Sequence, residues 1–156
     1  MYGNTKQFQI EYEEVFLDEV GEEWSFKEKS ICGGVFMLGG YELLSEEEIG
    51  LEIKGLRKHA EVRVEANFHF IDAWHGESGY MMIDGEYVWT ESNDYTLAKA
   101  AINVCGGLYG ESKFQSTIDV VVPHTSEDLD VTFGSTLVSA PSLASYGISS
   151  FRISLR

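Results

Sequence analysis

The stretch FHFIDAWHGESGYMMIDGEYVW, residues 68 to 89, decides the fold. It reads as two strands joined by a turn of acidic, aromatic and glycine residues, which is typical of a β-sandwich. Its heavy apolar side chains at sheet-like positions are Ile71, Trp74, Tyr80, Met82 and Trp89, and the carboxylates near its turns are Asp72, Glu77, Asp84 and Glu86. This stretch indicates the fold more clearly than it indicates any activity.

Alternation of apolar and polar residues extends through the rest of the chain and outweighs helical periodicity. It places Phe8, Ile10 and Tyr12 on one face of QFQIEY, and it repeats in AEVRVEANFHFID at residues 60–72. Further strands are predicted at 31–38, 49–54, 78–83, 86–90, 116–122, 129–134 and 147–155. We therefore predict an all-β, jelly-roll-like sandwich of two antiparallel sheets with about nine or ten strands.

One segment, DYTLAKAAIN at residues 94–103, favours a helix, with Asp94 as its cap. A loop packed under the sheet is the alternative.

Composition limits the classes of function. A length of 156 residues with 44% apolar side chains fits one packed domain. The net charge of -15 repels phosphate backbones and anionic membrane surfaces, so nucleic acid is a poor partner. No apolar run approaches the length of a membrane span, and the first residues do not resemble a signal peptide. We expect no membrane insertion, and a mature chain if the protein is secreted.

The acidic, strand-like segment at residues 1–23 precedes the main sandwich domain at 24–156. It forms the first strand of its own sandwich, or it adds to the sheet of a neighbouring subunit and builds a filament. The residues that would carry such self-assembly are Phe8, Ile10, Tyr12, Val15 and Leu17.

Cys32 and Cys105 are the only cysteines, and two glycines follow each of them. They form one disulfide or remain two buried thiols. Zinc is disfavoured because no second pair of soft ligands has a suitable spacing.

Several of these pieces recur together in a known arrangement: CGGVFMLGGY at 32–41, LRKHAEVRVEANFHFIDAWHGE at 56–77, Val88 and Trp89, Cys105 and Gly106, and HTSEDLDVTFGSTL at 124–137. This string resembles an uncharacterised cysteine-containing β-sandwich domain of secreted and cell-surface proteins of protists, ciliates especially. The resemblance spans about residues 24–155, and its most specific piece ends at Glu77. The matching positions are Cys32, Gly39, Gly40, His59, Asp72, Trp74, Gly76, Glu77, Trp89, Cys105, His124, Gly147 and Ile148.

The resemblance implies an extracellular or cell-surface location. It also favours a Cys32–Cys105 disulfide, since disulfides persist in oxidising compartments. The chain departs from the family in one place: Leu143–Tyr146 stands where these domains often carry an acidic pair and a tryptophan, D-E-S-W, before Gly147. A charged site completed by that element is missing here.

The carboxylates around the first turn suggest a metal site. Asp72, Glu77 and Asp84, with His75 nearby, would supply hard oxygen ligands for calcium. Capping of backbone N–H groups at strand ends is the simpler interpretation. The same carboxylates do not make a convincing glycosidase pair, and no serine-hydrolase motif is present, so we predict no catalytic residues.

Aromatic side chains near the same turn suggest a sugar-binding surface. We predict that Trp74 is exposed and Trp89 buried, and that glycan contacts involve Trp74, His75, Glu77 and Tyr80. Core packing is the alternative for each aromatic ring.

The sequence thus leads to two hypotheses for function. The first is a non-enzymatic extracellular structural or adhesive subunit that assembles with copies of itself by strand addition. The second is a carbohydrate-binding or adhesion module that uses calcium as an optional partner.

Overall fold

The computed structural model of the protein describes residues 7–97, 105 and 114–156. Within these residues the chain forms ten strands and one turn of 3-10 helix at Tyr95–Leu97. The strands are Gln9–Glu14 (β1), Lys29–Cys32 (β2), Val35–Gly39 (β3), Ile49–Ile53 (β4), Glu61–Asp72 (β5), His75–Ile83 (β6), Glu86–Asp94 (β7), Gln115–Pro123 (β8), Leu129–Ser135 (β9) and Ala144–Leu155 (β10).

The strands form two antiparallel sheets. Sheet A has the order β2-β3-β10-β5-β8, with β1 also paired to β10, and sheet B has the order β4-β9-β6-β7. The predicted all-β, two-sheet sandwich and its strand number are confirmed.

The core lies between the two sheets and follows the period of two that the sequence shows. On β5, Val62, Val64 and Phe68 are fully buried, while Arg63, Glu65 and Asn67, which alternate with buried residues, are partly exposed. Sheet B contributes Met81 and Phe133 to the same core. Alternation predicted these strands because each one buries a single face.

Several strand boundaries differ from the prediction. The segment 31–38, predicted as one strand, is a hairpin in which Gly33 and Gly34 separate β2 from β3. Both glycines have positive φ, 58° and 82°, a backbone conformation that suits glycine in two-residue hairpin turns. In addition, β6 begins at His75 rather than at residue 78, β7 ends at Asp94 rather than at residue 90, and β10 begins at Ala144 rather than at residue 147.

The amino-terminal segment pairs with a strand of its own domain. Strand β1 runs antiparallel to the second half of β10, from Gln9 opposite Leu155 to Glu14 opposite Phe151. The first half of β10 pairs with β3 instead, and a register shift between Ser149 and Arg152 separates the two halves. Exchange of β1 with a neighbouring subunit is not supported by this arrangement.

The five residues proposed for self-assembly have different environments. Tyr12 packs against the core, and its ring contacts Phe151 edge-on at 6.0 Å. Phe8 lies beneath the guanidinium group of Arg156, 4.2 Å from the ring centroid. The other three, Ile10, Val15 and Leu17, are more than half exposed.

The segment predicted as a helix or a loop starts where β7 ends. Asp94 accepts a hydrogen bond from the backbone N–H of Thr96 at 2.9 Å, so it caps the short 3-10 turn. Residues 98–103 of that prediction lie outside the described residues. In the part of the chain that the structure covers, no helix has the length and apolarity needed to cross a membrane.

Cys32 and Cys105 form a disulfide, with their Cα atoms 5.2 Å apart. Beside them, Met37 and Ile71 form a small apolar cluster distinct from the main core. The disulfide implied by the family resemblance is confirmed.

Candidate functional site

The outward surface of sheet B carries two tyrosines and a methionine among small polar residues. Tyr80 and Met82 alternate on β6 with buried Gly79, Met81 and Ile83, so both point away from the core. The strand register sets Met82 beside Tyr87 and Thr132, and it sets Tyr80 beside Thr90 and Gly134. We call this surface the tyrosine face; its members are Tyr80, Met82, Tyr87, Thr90, Thr132 and Gly134.

Gly134 makes room for the ring of Tyr80. A Cβ atom at position 134 would lie 2.4 Å from both Cζ and Oη of that tyrosine, which is closer than real Cβ contacts. Because Gly134 has no side chain, the Tyr80 ring lies directly over β9. Any larger residue at this position must displace the ring.

A carboxylate also holds Tyr80 in place. Its hydroxyl donates a hydrogen bond to Oε2 of Glu48 at 2.5 Å. Burial, and then the bond to Glu48, raise the pKa of Tyr80 above its usual range. The ring is thus fixed at both its flat side and its polar end.

Tyr87 supplies the exposed part of the tyrosine face. Its ring lies 5.2 Å from that of Tyr80 at an interplanar angle of 75°, and 69% of the residue is exposed. Edge-to-face contacts of this kind stabilise the orientation of both rings. The face therefore presents an ordered aromatic surface to solvent.

An acidic groove of about 510 Å³ adjoins the tyrosine face. It lies where the segment 22–25 meets β4 and β9, and Gly50 and Thr132 belong to its lining. Glu52 and Asp130 are register partners across β4 and β9. Partial burial, followed by the charges of Glu52 and Asp84, raises the pKa of the Asp130 carboxyl.

The prediction that Trp74 is exposed is wrong. Trp74 is fully buried, and its indole N–H donates to the carbonyl of Ser145 at 2.8 Å. Its ring meets Phe70 edge-on at 5.0 Å. The short connection between β5 and β6 turns this side chain into the sandwich, so it cannot stack on a sugar. Trp89, predicted to be buried, is partly buried and packs against the core.

The other three residues predicted to contact glycans occupy two places. His75 and Glu77 lie together at the start of β6, where the backbone N–H of His75 donates to Glu77 at 2.6 Å. Nδ1 of His75 is 3.2 Å from Oδ1 of Asp94. Tyr80 lies farther along the strand, about 16 Å from His75 at ordinary strand rise. Only Tyr80 belongs to the tyrosine face.

The three carboxylates predicted to bind calcium are not brought together. Asp72 is buried at the end of β5, Glu77 caps the start of β6, and Asp84 lies in the turn after β6. Glu77 and Asp84 are seven residues apart along an extended strand, or about 23 Å. Among the described residues, no group of three or more His, Cys, Asp or Glu side chains is placed to hold a metal ion.

The rings of His59 and His124 are hydrogen-bonded to each other. Nε2 of His59 lies 2.6 Å from Nδ1 of His124, and Nδ1 of His59 lies 2.6 Å from the carbonyl of Arg57. At the far end, Nε2 of His124 is 3.0 Å from Oδ2 of Asp84. These contacts tie the ends of β5 and β8 in sheet A to the β6–β7 turn in sheet B.

Tyr87 and Gly134 are the functional candidates that sequence reasoning missed. The available signal was the alternation of Tyr80 and Met82, which predicts that both leave the core on the same side. Their neighbours on that side depend on the pairing of β6 with β7 and β9, which a single sequence does not specify.

No protein family and no curated protein matches the sequence of this chain. Its structure is similar to several solved structures. The N-terminal tandem of CBM22 domains from Paenibacillus barcinonensis Xyn10C superposes with a TM-score of 0.57 at 12% identity, covering 99% of this chain and 47% of that one. Dimeric latent PorU from Porphyromonas gingivalis gives 0.52 at 9% identity, covering 76% and 11%.

A carbohydrate-binding module from Cellvibrio mixtus lichenase 5A, solved with cellotriose, gives a TM-score of 0.47 at 13% identity, covering 95% of this chain and 99% of that one. The chain thus spans about half of the Paenibacillus tandem and about a tenth of PorU. At these identities the likeness to the Paenibacillus tandem and to PorU shows a shared fold alone. These structures do not bear on the resemblance to the protist domain, which stays a prediction.

Proposed function

We propose that the protein is a non-catalytic carbohydrate-binding module that acts outside the cell, and that the tyrosine face contacts the sugar. The observation that carries the proposal is the exposed ring of Tyr87, set edge-on against Tyr80, which is itself held over Gly134. Such aromatic surfaces suit the C–H faces of pyranose rings, because both partners lose apolar area to water on contact.

Polar groups around the rings suit the hydroxyl groups of a sugar. The hydroxyls of Thr90 and Thr132 lie on the same face, and the Glu48 carboxylate accepts from Tyr80 at its border. A carboxylate has several acceptor sites, so Glu48 retains capacity for a sugar hydroxyl while it holds Tyr80. Hydrogen bonds of this kind orient a ligand that stacking alone would leave free to slide.

The shape of the surface favours a polymer over a free monosaccharide. The tyrosine face extends over three neighbouring strands, β7, β6 and β9, and is about 10 Å wide at ordinary strand spacing. It is an open surface and not an enclosed pocket, so it can accept several consecutive units of a chain. The fold shared with the Paenibacillus CBM22 tandem supports the proposal that the protein is a carbohydrate-binding module. The disulfide supports the extracellular location.

The experiment is isothermal titration calorimetry against soluble oligosaccharides from several polysaccharide classes, using the wild type, Tyr87→Ala and Gly134→Ala. We expect Tyr87→Ala to weaken binding about 10- to 100-fold, the range for truncating an aromatic anchor. Gly134→Ala should weaken binding similarly by displacing the ring of Tyr80.

The matched control is Phe36→Ala on β3 of sheet A, where the aromatic residue is 38% exposed but belongs to the other sheet. It should bind as the wild type does. Circular dichroism establishes that each variant is folded. Absence of binding to every class, or binding that both tyrosine-face variants leave unchanged, would refute the proposal.

A further inference from the structure

On the basis of the proposed function, we infer that the tyrosine face selects polysaccharides that carry free amino groups, such as glucosamine polymers, over neutral and acidic ones. The first observation is the composition of the sheet. The four strands of sheet B contain no lysine or arginine, and their six acidic residues are Glu52, Glu77, Glu86, Glu91, Asp94 and Asp130.

The second observation is where the carboxylates lie relative to the aromatic rings. Glu48 is bonded to the hydroxyl of Tyr80, so its negative charge borders the stacking surface. Glu52 and Asp130 flank Gly50 and Thr132 in the adjoining groove. A sugar that stacks on the two tyrosines and continues over β9 towards β4 therefore extends from Glu48 towards the carboxylates of Glu52 and Asp130.

The Glu52–Asp130 pair has little compensation from protein cations. Lys54 approaches Glu52 at 3.3 Å, but both side chains are more than half exposed. Water and salt screen such an exposed pair effectively. Partial burial first, and then the negative charges of Glu52 and Asp84, raise the pKa of the Asp130 carboxyl. A ligand ammonium group placed here would relieve that repulsion.

Sheet A provides the contrast. The arginines of its outward surface are already paired: Arg63 with Asp119 at 2.7 Å, Arg152 with Glu13 at 3.0 Å, and Arg156 with Glu61 at 2.8 Å. The positive charges of the sandwich strands therefore lie on the sheet that lacks the two tyrosines. An acidic polysaccharide on sheet B would meet carboxylates and no guanidinium group from its strands.

The test compares oligosaccharides of equal length by calorimetry at low salt and slightly acidic pH: glucosamine oligomers, their N-acetylated counterparts, and galacturonate oligomers. One ammonium–carboxylate contact at a solvated surface is worth about a fivefold change in affinity, so two contacts predict about 10- to 30-fold preference for the amine form. Galacturonate oligomers should bind more weakly than the acetylated form. About 1 M salt should remove the preference, since charges are then screened within about 3 Å.

Variants separate selection at the tyrosine face from general attraction of a cationic polymer to an acidic protein. Glu52→Gln combined with Asp130→Asn should reduce the preference to a few-fold, by weakening binding of the amine form much more than binding of the acetylated form. Glu28→Gln, at an exposed position whose backbone carbonyl accepts from Gly39 of β3, removes a charge beside sheet A and should leave the preference as it was. Tyr87→Ala should weaken binding of both forms.

The outcomes also separate this inference from the proposed function. Equal binding of the amine and acetylated forms, or a preference that persists in Tyr87→Ala, would refute the selectivity while leaving sugar binding intact. Absence of binding by any oligosaccharide would refute both.

Discussion

The protonation of His69 offers a quantitative test of the packing on sheet A. This residue on β5 is fully buried, with its ring 4.8 Å from Phe114 and Nε2 2.7 Å from the hydroxyl of Ser149. Burial lowers the pKa of His69 from 6.5 to about 4, because the charged imidazolium loses its hydration. The neutral ring is the form that the fold accommodates.

The sign of the effect follows from proton uptake. Between pH 6.5 and 4 the unfolded chain binds a proton at His69 that the folded chain does not. The free energy of unfolding therefore rises with pH in this window. The stability that depends on a neutral His69 is fully present above pH 6.5. Relative to neutral pH, the burial of His69 should lower the free energy of unfolding by about 2 kcal/mol at pH 5 and by about 3 kcal/mol at pH 4.

The measurement is urea denaturation of the wild type and His69→Gln at a series of pH values. Glutamine retains an amide that can bond to Ser149 but does not titrate, so the difference between the two proteins isolates the histidine. At pH 5 the wild type should lose about 2 kcal/mol of unfolding free energy beyond what the variant loses. The control is His75→Gln, since the side chain of His75 is 67% exposed. A difference between wild type and His69→Gln that stays constant from pH 7 to pH 4 would show that His69 is not buried as described.

Two other predictions concern the connections between elements. The contact between His59 and His124 should appear as a coupling of about 1–2 kcal/mol in the unfolding free energies of His59→Ala, His124→Ala and the double variant; strict additivity would contradict the contact. Because β1 pairs with β10 in its own domain, the native mass should stay that of a monomer across concentrations in sedimentation experiments, and Tyr12→Ala should lower stability without changing mass. Growth of mass with concentration, abolished by deleting residues 1–17, would instead support strand exchange.

The architecture was predictable from sequence because strands that bury one face must alternate. Val62, Val64 and Phe68 show this on β5, and their burial follows the predicted period. The same rule failed at CGG, where the apolar residues on both sides of the two glycines read as one strand. The glycine pair itself was the sequence signal for a hairpin, because two-residue hairpin turns need positive φ, which glycine adopts readily. In the structure φ is positive at both glycines.

The candidate site was only partly predictable, because it depends on which strands are neighbours. Tyr80 was selected from its position near a turn, whereas its actual partners come from β7, from β9 and from the loop before β4. Trp74 was misplaced for a related reason. A residue between two strands can point inward as easily as outward, and only the bond from its indole to Ser145 reveals which.

The gap that Gly134 leaves for Tyr80 has a consequence for finding related proteins. Position 134 cannot gain a side chain without displacing the ring of Tyr80, so a relative that keeps this ring in place should also keep the glycine. Relatives too distant for overall identity to detect should retain this glycine–tyrosine pair across two neighbouring strands if they retain the binding surface. Those that have lost the glycine should also have lost the ring, which makes this pair of positions a more sensitive marker of inherited binding than the fold.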